Sequence, residues 1–275
     1  MNIEQQVKKT IEKYHLIEKN DKVAVALSGG KDSTSVLYIL HKLGYNVEGL
    51  MIDLHLGEWS KIHRKNMEKF CSELNIKLTI VDLKQELGMG ICFIKSVLKQ
   101  QKNLTGCTVC GIIKKWILNK WAKKLKADKI VTGHNLDDEC QTVLMNFLKG
   151  NIYLGVNSTP ATGIPNKGFV QRIKPLFFIP ENEVRSYAKK MNFPILYEKC
   201  PCAIGTYRVE TREWINFLTN KEKLNIVDNF QKTIPKLRRT YKTEIKNCKE
   251  CGEPSKSDLC NACKIFQVLK NPKKS

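Results

Sequence analysis

An apolar run, Val23-Ala24-Val25-Ala26-Leu27, leads without a break into Ser28-Gly29-Gly30-Lys31-Asp32-Ser33, and this junction constrains the fold more than any other stretch of the chain. A short apolar run ending in adjacent glycines predicts a strand that enters a turn where the backbone reaches positive φ and approaches a ligand with no Cβ in the way. Ser28 and Ser33 add hydroxyl donors and Lys31 a positive charge, which suits the turn to a phosphate. Residues 34–43 have helical spacing, which aims free N–H groups and the positive end of a helix dipole at the same anion. The Walker pattern requires four residues between its glycines and the dinucleotide pattern requires GxGxxG. Adjacent Gly29 and Gly30 satisfy neither.

Strand-like runs recur at 22–27, 46–52, 77–82 and 129–132, separated by segments of helical spacing. This alternation predicts an α/β fold with a doubly wound parallel sheet. Ligands of such sheets sit at the carboxyl ends of the strands. Those ends carry Ser28-Gly29-Gly30, Asp53 and Gly133-His134-Asn135, so three motifs are expected in one crevice. Residues 151–168, with two prolines and three glycines, read as a long loop before a short run at 169–173, and 180–191 as a further helix. The expected organisation is an N-terminal helix over 1–20, the α/β domain over 21–220, a basic helical linker over 221–246 and a small cysteine-rich domain over 247–275.

The chain carries 47 Lys plus Arg against 27 Asp plus Glu, a net charge of +20, which points to nucleic acid as a partner. Two concentrations stand out: Lys114, Lys115, Lys120, Lys123, Lys124 and Lys126, and then Lys232, Lys236, Arg238, Arg239 and Lys242. Trp116 and Trp121 fall among Ile113, Ile117 and Leu118 at near-helical spacing and are expected to anchor a core. No stretch approaches the roughly 20 apolar residues of a membrane span, and the N-terminal segment has no signal-peptide core, so the expected address is cytoplasmic with no membrane association.

Six of the eleven cysteines fall in three CxxC pairs, a spacing that favours metal in a reducing compartment. Cys248-x2-Cys251-x8-Cys260-x2-Cys263 offers four thiols from two knuckles, as a closed tetrahedral zinc site does. A segment of about 30 residues has too little core to fold alone, so the expected role of this Zn2+ is structural. Cys107 and Cys110 supply only two ligands at the start of a helix whose N-terminus should lower thiol pKa. They form either a redox dithiol or a site that needs a third ligand from elsewhere. Cys71, Cys92 and Cys140 stand singly in apolar or helical stretches and are expected to be small buried hydrophobes.

The glycine turn resembles the pyrophosphatase loop of the N-type ATP pyrophosphatases. Gly133-His134-Asn135-Leu136-Asp137-Asp138-Glu139, followed by Thr142-Val143-Leu144-Met145-Asn146, is similar to a segment of the TtcA/TtuA-like tRNA 2-thiolation enzymes, and Cys107-Thr108-Val109-Cys110-Gly111 extends the likeness. The resemblance implies the PP-loop, adenine nucleotide alpha hydrolase-like fold. It implies ATP held by Ser28, Gly29, Gly30, Lys31, Asp32, Ser33, Asp53, Gly133 and His134, with Mg2+ bridging its phosphates and Lys114 and Asp138 acting in catalysis. It also implies a 4Fe-4S cluster on Cys107, Cys110 and a distant cysteine before an Arg-containing helix. Cys200, followed by Arg208 and Arg212, matches that cysteine, while Cys202 stands where the family has an aromatic residue.

The activity so implied adenylates the C2 oxygen of a tRNA pyrimidine, most simply uridine, and replaces it with sulfur from a sulfide, persulfide or carrier-protein donor, in a homodimer. The same residues also suit a persulfide mechanism without a cluster, or an ATP pyrophosphatase acting on a substrate other than tRNA. Two departures from the family are His55-Leu56-Gly57 after Asp53, and the lack of any cysteine before Cys71, where members carry an N-terminal zinc module.

Overall fold

The computed structural model describes residues 1–102, 106–162, 168–198, 200–201, 207–240 and 244–270. Helix α1 (Ile3–Tyr14) opens with a reciprocal cap between Asn2 and Gln5 and buries Ile3, Val7 and Ile11. Next come β1 (Lys22–Leu27), α2 (Lys31–Lys42), β2 (Asn46–Asp53), α3 (Glu58–Glu73), β3 (Leu78–Asp82), α4 (Leu83–Leu87), α5 (Ile91–Lys102), α6 (Gly106–Lys124), β4 (Lys129–Val131) and α7 (Leu136–Leu148). A 3-10 turn (Ile152–Asn157) precedes β5 (Gln171–Ile173), α8 (Glu181–Lys190), α9 (Tyr207–Asn216) and α10 (Asn220–Thr240). The chain closes with β6 (Lys246–Asn247), β7 (Pro254–Ser255) and α11 (Asn261–Lys270).

The main sheet has the order β3-β2-β1-β4-β5, and every pair in it is parallel. Burial on both faces explains why β1 is apolar throughout. Successive side chains of a strand point to opposite faces. Val23, Val25 and Leu27 pack with Val36, Leu37 and Leu40 on the side of α1, α2 and α8, whereas Ala24 joins Leu50, Ile130, Ile94 and Ile113 on the side of α5 and α6. Successive connections from β1 run to one side and later return to the other, so the order reverses between β1 and β4. The crevice that forms at such a switch point receives the turn after β1 and the turn after β4.

Helix α2 begins at Lys31, three residues earlier than the spacing predicts, which makes Lys31, Asp32 and Ser33 its first turn and Gly30 its N-cap. The segment expected as a basic linker is a helix, α10, packed into the body. Val227 meets Leu136 and Phe177, and Phe230 and Ile234 meet Val143 of α7. The cysteine-rich module is docked likewise: Ile265 of α11 enters the core under α5 and α6, and Phe266 meets Trp116 edge-on with ring centres 5.3 Å apart. Trp116 is half-buried at that seam, and Trp121, also half-buried, donates its indole N–H to Glu86 at 3.2 Å. Cys71 and Cys140 are buried as expected, and burial pushes both thiols up to about 11, which leaves them inert. Cys92 is exposed on α5, contrary to its apolar neighbourhood in the sequence. No helix among the described residues is long and apolar enough to cross a membrane.

Candidate active site and metal centres

The turn after β1 is tied down by its own hydroxyls. Ser33 Oγ accepts from the Ser28 amide at 3.1 Å and lies 3.0 Å from Ser28 Oγ. Gly29 sits at φ +80°, and a Cβ there would meet His63 Nδ1 at 2.3 Å, so both the backbone and the neighbour require glycine. Gly133, in the turn after β4, is needed for a different reason. A Cβ on it would lie 2.7 Å from the Ser33 amide nitrogen, so the turn after β4 reaches the first turn of α2 only because Gly133 has no side chain.

Around this junction runs an alternating charge network. Lys31 Nζ lies 2.9 Å from Asp32 Oδ2 and 2.9 Å from Glu181 Oε1 at the start of α8. Arg212 on α9 reaches Glu181 at 3.4 Å and Asp138 Oδ1 at 2.9 Å, and Arg208 reaches the same Asp138 oxygen at 3.3 Å. Asn135 donates to Asp32 Oδ1 at 3.0 Å, and it also caps α7 by accepting from the Asp138 amide at 3.1 Å. Asp138 completes the cap of α7 by accepting from the Asn135 amide at 3.3 Å. Asp137 serves the scaffold: it receives Lys223 Nζ at 2.6 Å in a buried pair and the Glu181 amide at 2.7 Å, which fixes the start of α8 beside Lys31.

The network pushes its carboxylates apart. Burial pushes the Asp32 carboxyl up and nearby Asp138 adds to this, against the pull of Lys31 and Asn135. Burial opposes ionisation of Asp138 too, but His134, Arg212 and Arg208 outweigh it and hold that carboxyl below its usual range. Burial alone would lower Lys31, yet Asp32 and Glu181 hold its ammonium above the ordinary value. Two carboxylates of opposed tendency in one cleft are what acid–base or cation-binding chemistry requires.

Beside the turn, a cavity of about 100 Å³ lies under the ends of β1 and β2 and is lined by Ser28, Asp53, Trp59, His63 and Lys114. Asp53 Oδ1 accepts from the His55 amide at 2.9 Å, which orients it at the rim. His63 is 2% exposed with its ring against Gly29, and the indole nitrogen of Trp59, whose ring lies 4.1 Å from it, is buried with no hydrogen-bond partner. Buried donors without partners in a cavity mark places where a bound molecule completes the bonding. His134 is exposed at the mouth of the crevice, 2.9 Å from Thr132 Oγ1.

Cys107 and Cys110 lie in the first turns of α6, and Lys114 follows one turn later on the same helix. Burial pushes the Cys110 thiol up; Lys114 and Lys95 oppose this, and the charges of Cys200 and Cys107 add to it. The structure thus brings Cys107, Cys110 and Cys200 into one electrostatic neighbourhood, while Cys202 lies outside the described residues. The lowered pKa expected from the helix N-terminus does not hold for Cys110, because burial and two neighbouring thiols outweigh the dipole. Among the described residues these three sulfurs are partly accessible and do not all lie within 4.8 Å of one another, and three thiols are a donor set that a cluster with an open iron can take.

Among the described residues only Cys248, Cys251, Cys260 and Cys263 form a group of three or more ligand atoms all within 4.8 Å of one another. Cys251 Sγ and Cys260 Sγ are 3.7 Å apart, close to the edge of about 3.8 Å of a tetrahedron with metal–sulfur bonds of about 2.3 Å. The Cys260 amide donates to Cys248 Sγ at 3.3 Å and the Cys263 amide to Cys260 Sγ at 3.4 Å, bonds that favour thiolates.

Glu181, Arg212, Asn135 and His63 join the site without having been singled out for it in the sequence. Asn135 lies inside a quoted motif, and Arg212 was noted only for its position after Cys200. Nothing local marks Glu181 or His63.

The strand order, the glycine turn at the switch point and the charged network around it define a phosphate-binding α/β protein. A family model described as PP-loop domain matches residues 1–196. The chain is 36% identical over 272 residues to tRNA-5-methyluridine(54) 2-sulfurtransferase of Pyrococcus horikoshii, covering 97% of this chain and 85% of that protein. It is 31% identical over 269 residues to the protein of the same name from Thermus thermophilus, covering 96% and 82%. Among solved structures, the U34-tRNA thiolase NcsA of Methanococcus maripaludis with its 4Fe-4S cluster is similar with a TM-score of 0.79 at 29% identity, over 97% of this chain and 87% of that one. The chain belongs to the PP-loop family, in the branch that these tRNA 2-thiolation relatives represent.

Proposed function

We propose that this protein is an ATP-dependent tRNA 2-thiolation enzyme acting on a uridine. The observation that carries the reading is the layout of α6. It bears Cys107 and Cys110 at its start and, one turn later, Lys114 lining the cavity that Ser28 of the glycine turn closes from the other side. A sulfur-handling centre and a nucleotide cavity thus share one rigid element.

In this reading the amides at the start of α2 and Lys31 take the pyrophosphate of ATP, and the phosphates compete for the ammonium that Asp32 and Glu181 otherwise hold. Asp32 and Asp138 would hold Mg2+, whose charge would offset the burial and the Asp138 repulsion that raise Asp32. The uridine C2 oxygen attacks the α-phosphorus, the bond between the α-phosphorus and the bridging oxygen breaks, and pyrophosphate leaves. Hydrosulfide then bonds to C2 and loses its proton while AMP leaves with the former carbonyl oxygen. With a persulfide carried on Cys107 or Cys110, the outer sulfur bonds to C2 as AMP leaves, and the other cysteine thiolate then attacks the inner sulfur, breaking the S–S bond and leaving a disulfide between the two. Arg212 Nη1, buried without a partner, is a donor available to oxygens that gain charge on the way. Cys107, Cys110 and Cys200 would hold the 4Fe-4S cluster, which supplies, when bound, an iron position open to sulfur. Cys248, Cys251, Cys260 and Cys263 would hold a structural Zn2+.

The test is anaerobic reconstitution with iron, sulfide, ATP and tRNA transcripts, followed by digestion and mass spectrometry of the nucleosides. A 2-thiouridine product is expected, and transcripts altered at position 34 or 54 locate it. Lys31→Ala should reduce both pyrophosphate release and 2-thiouridine by about 100-fold or more. A loaded wild-type enzyme that releases pyrophosphate without thiolating any transcript would overturn the reading in favour of another substrate.

A further inference from the structure

A second cavity is larger than the one beside the glycine turn. A cleft of about 460 Å³ opens between α6, the segment leading into β5, and the cysteine-rich module, a size typical of ligand sites. Four cations line it: Lys115 and Arg172 from the body, Lys256 and Lys264 from the module. Its one carboxylate, Glu253, is already engaged by Lys123 and Asn119. Neither Lys115 nor Arg172 forms an ion pair with a carboxylate among the described residues. Instead the Arg172 guanidinium donates to the Lys115 carbonyl at 3.0 Å, and its Nε is buried with no partner at all. A guanidinium so placed has lost water without gaining an anion, an arrangement that an incoming anion repairs.

The electrostatics agree. Burial lowers the Arg172 pKa with only distant help from Glu253, and the cleft walls followed by Arg172, Lys174 and Arg208 lower that of Lys115. Two adjacent cations held against their own repulsion are a vacancy for negative charge. The rest of the wall mixes polar side chains such as Ser255 and Asn261 with apolar ones, among them Phe169, which keeps 39% of its surface exposed. Cations on one side and an exposed ring on the other match a phosphate and the base beside it. Placement strengthens the match. Lys114 lines the nucleotide cavity and Lys115 lines this cleft, and successive residues of a helix point about 100° apart, so the cleft is next to the reaction centre on another face of α6.

We infer that this cleft is a second RNA contact, in which Arg172, Lys115, Lys256 and Lys264 clamp a phosphodiester of the tRNA and Phe169 stacks on the neighbouring base. The inference rests on the tRNA reading above and assigns the cysteine-rich module a task beyond its own folding: it supplies half of the clamp.

The test measures affinity of the full-length protein for a tRNA transcript by fluorescence anisotropy across a salt series, together with kcat and KM for thiolation. The double variants Arg172→Gln/Lys115→Gln and Lys256→Gln/Lys264→Gln should each weaken binding about tenfold near physiological salt and reduce the salt slope by about one per cation removed. Phe169→Ala should weaken it about fivefold. KM for tRNA should rise while kcat, iron content and zinc content stay at wild-type values. Lys256 and Lys264 are exposed, so the second pair remains informative if the first disturbs packing. If wild type binds and thiolates tRNA but both double variants bind within twofold of it, the cleft is not an RNA contact. If wild type neither binds nor thiolates tRNA, the tRNA reading itself fails.

Discussion

The two cysteine sets of this protein use the same CxxC device to opposite ends. Cys248, Cys251, Cys260 and Cys263 converge within 4.8 Å, three of them are buried, and their sulfurs receive backbone amides at ligand-like distances. Cys107, Cys110 and Cys200 are all partly accessible, come from two distant stretches of chain, and lie where Lys114 opens onto the nucleotide cavity. The closed set offers a thiol for every position of a tetrahedron, whereas the open set brings together three thiols among the described residues. Spacing alone cannot distinguish them. The difference lies in how tightly the fold gathers the thiols, and under the function proposed above it separates a centre that holds structure from one that handles a substrate.

The sharpest way to break this contrast is to remove one thiol from each set. Cys110→Ala should lower 2-thiouridine formation by about a thousandfold or more and take the iron content close to zero. Zinc should be retained and the melting temperature should stay within a few degrees of wild type, because Cys110 contributes little to the core beyond its own side chain. Thiolation that survives while iron is lost would instead favour a persulfide on the remaining cysteines.

Cys251→Ala should do the reverse. Losing one of four thiolates removes most of the binding energy of a structural zinc, of order 10 kcal/mol in small modules. The module should unfold first, as a separate transition lowered by about 10 °C or more, with zinc near zero by mass spectrometry and the iron retained. Prolonged treatment of wild type with a zinc chelator should reproduce the effect. A variant that keeps full zinc and an unchanged melting profile would show that the tail thiols are not the ligands.

Much of this was legible in the sequence because it is local. A run of apolar residues buried on both faces marks β1, adjacent glycines mark the anion turn, and two CxxC pairs close together mark the module. What was not legible depends on the parallel sheet bringing remote segments together. Glu181 lies at the start of an ordinary amphipathic helix, and only the placement of α8 beside α2 gives it Lys31 as a partner at 2.9 Å. His63 has no meaning until Gly29 is found to leave it room. The basic run along α6 is partly spent inside the fold, which its sequence does not reveal: Lys120 is engaged with Glu86 and Lys123 with Glu253, while Lys124 lies 4.3 Å over the Trp121 ring. Charge counted along a helix says nothing of how much the fold itself neutralises, and here Lys115 keeps the part that faces outward.

The smallest effect tests whether the two centres are as separate as the contrast holds. Trp116 sits on α6, two residues after Lys114, and its indole nitrogen donates to Cys251 Sγ at 3.5 Å while its ring packs on Phe266. It is therefore the one described side chain seen to join the helix of the open set to a ligand of the closed set by a hydrogen bond. Trp116→Phe removes that bond and keeps most of the packing, so it should cost about 1 kcal/mol, a shift of about 2–4 °C in the transition of the module. Zinc should remain bound, since four thiolates are intact, and thiolation should change by less than about twofold. A fall in thiolation of tenfold with iron and zinc both in place would mean that the closed centre tunes the open one through α6, and that the division between structural and chemical cysteines is not clean.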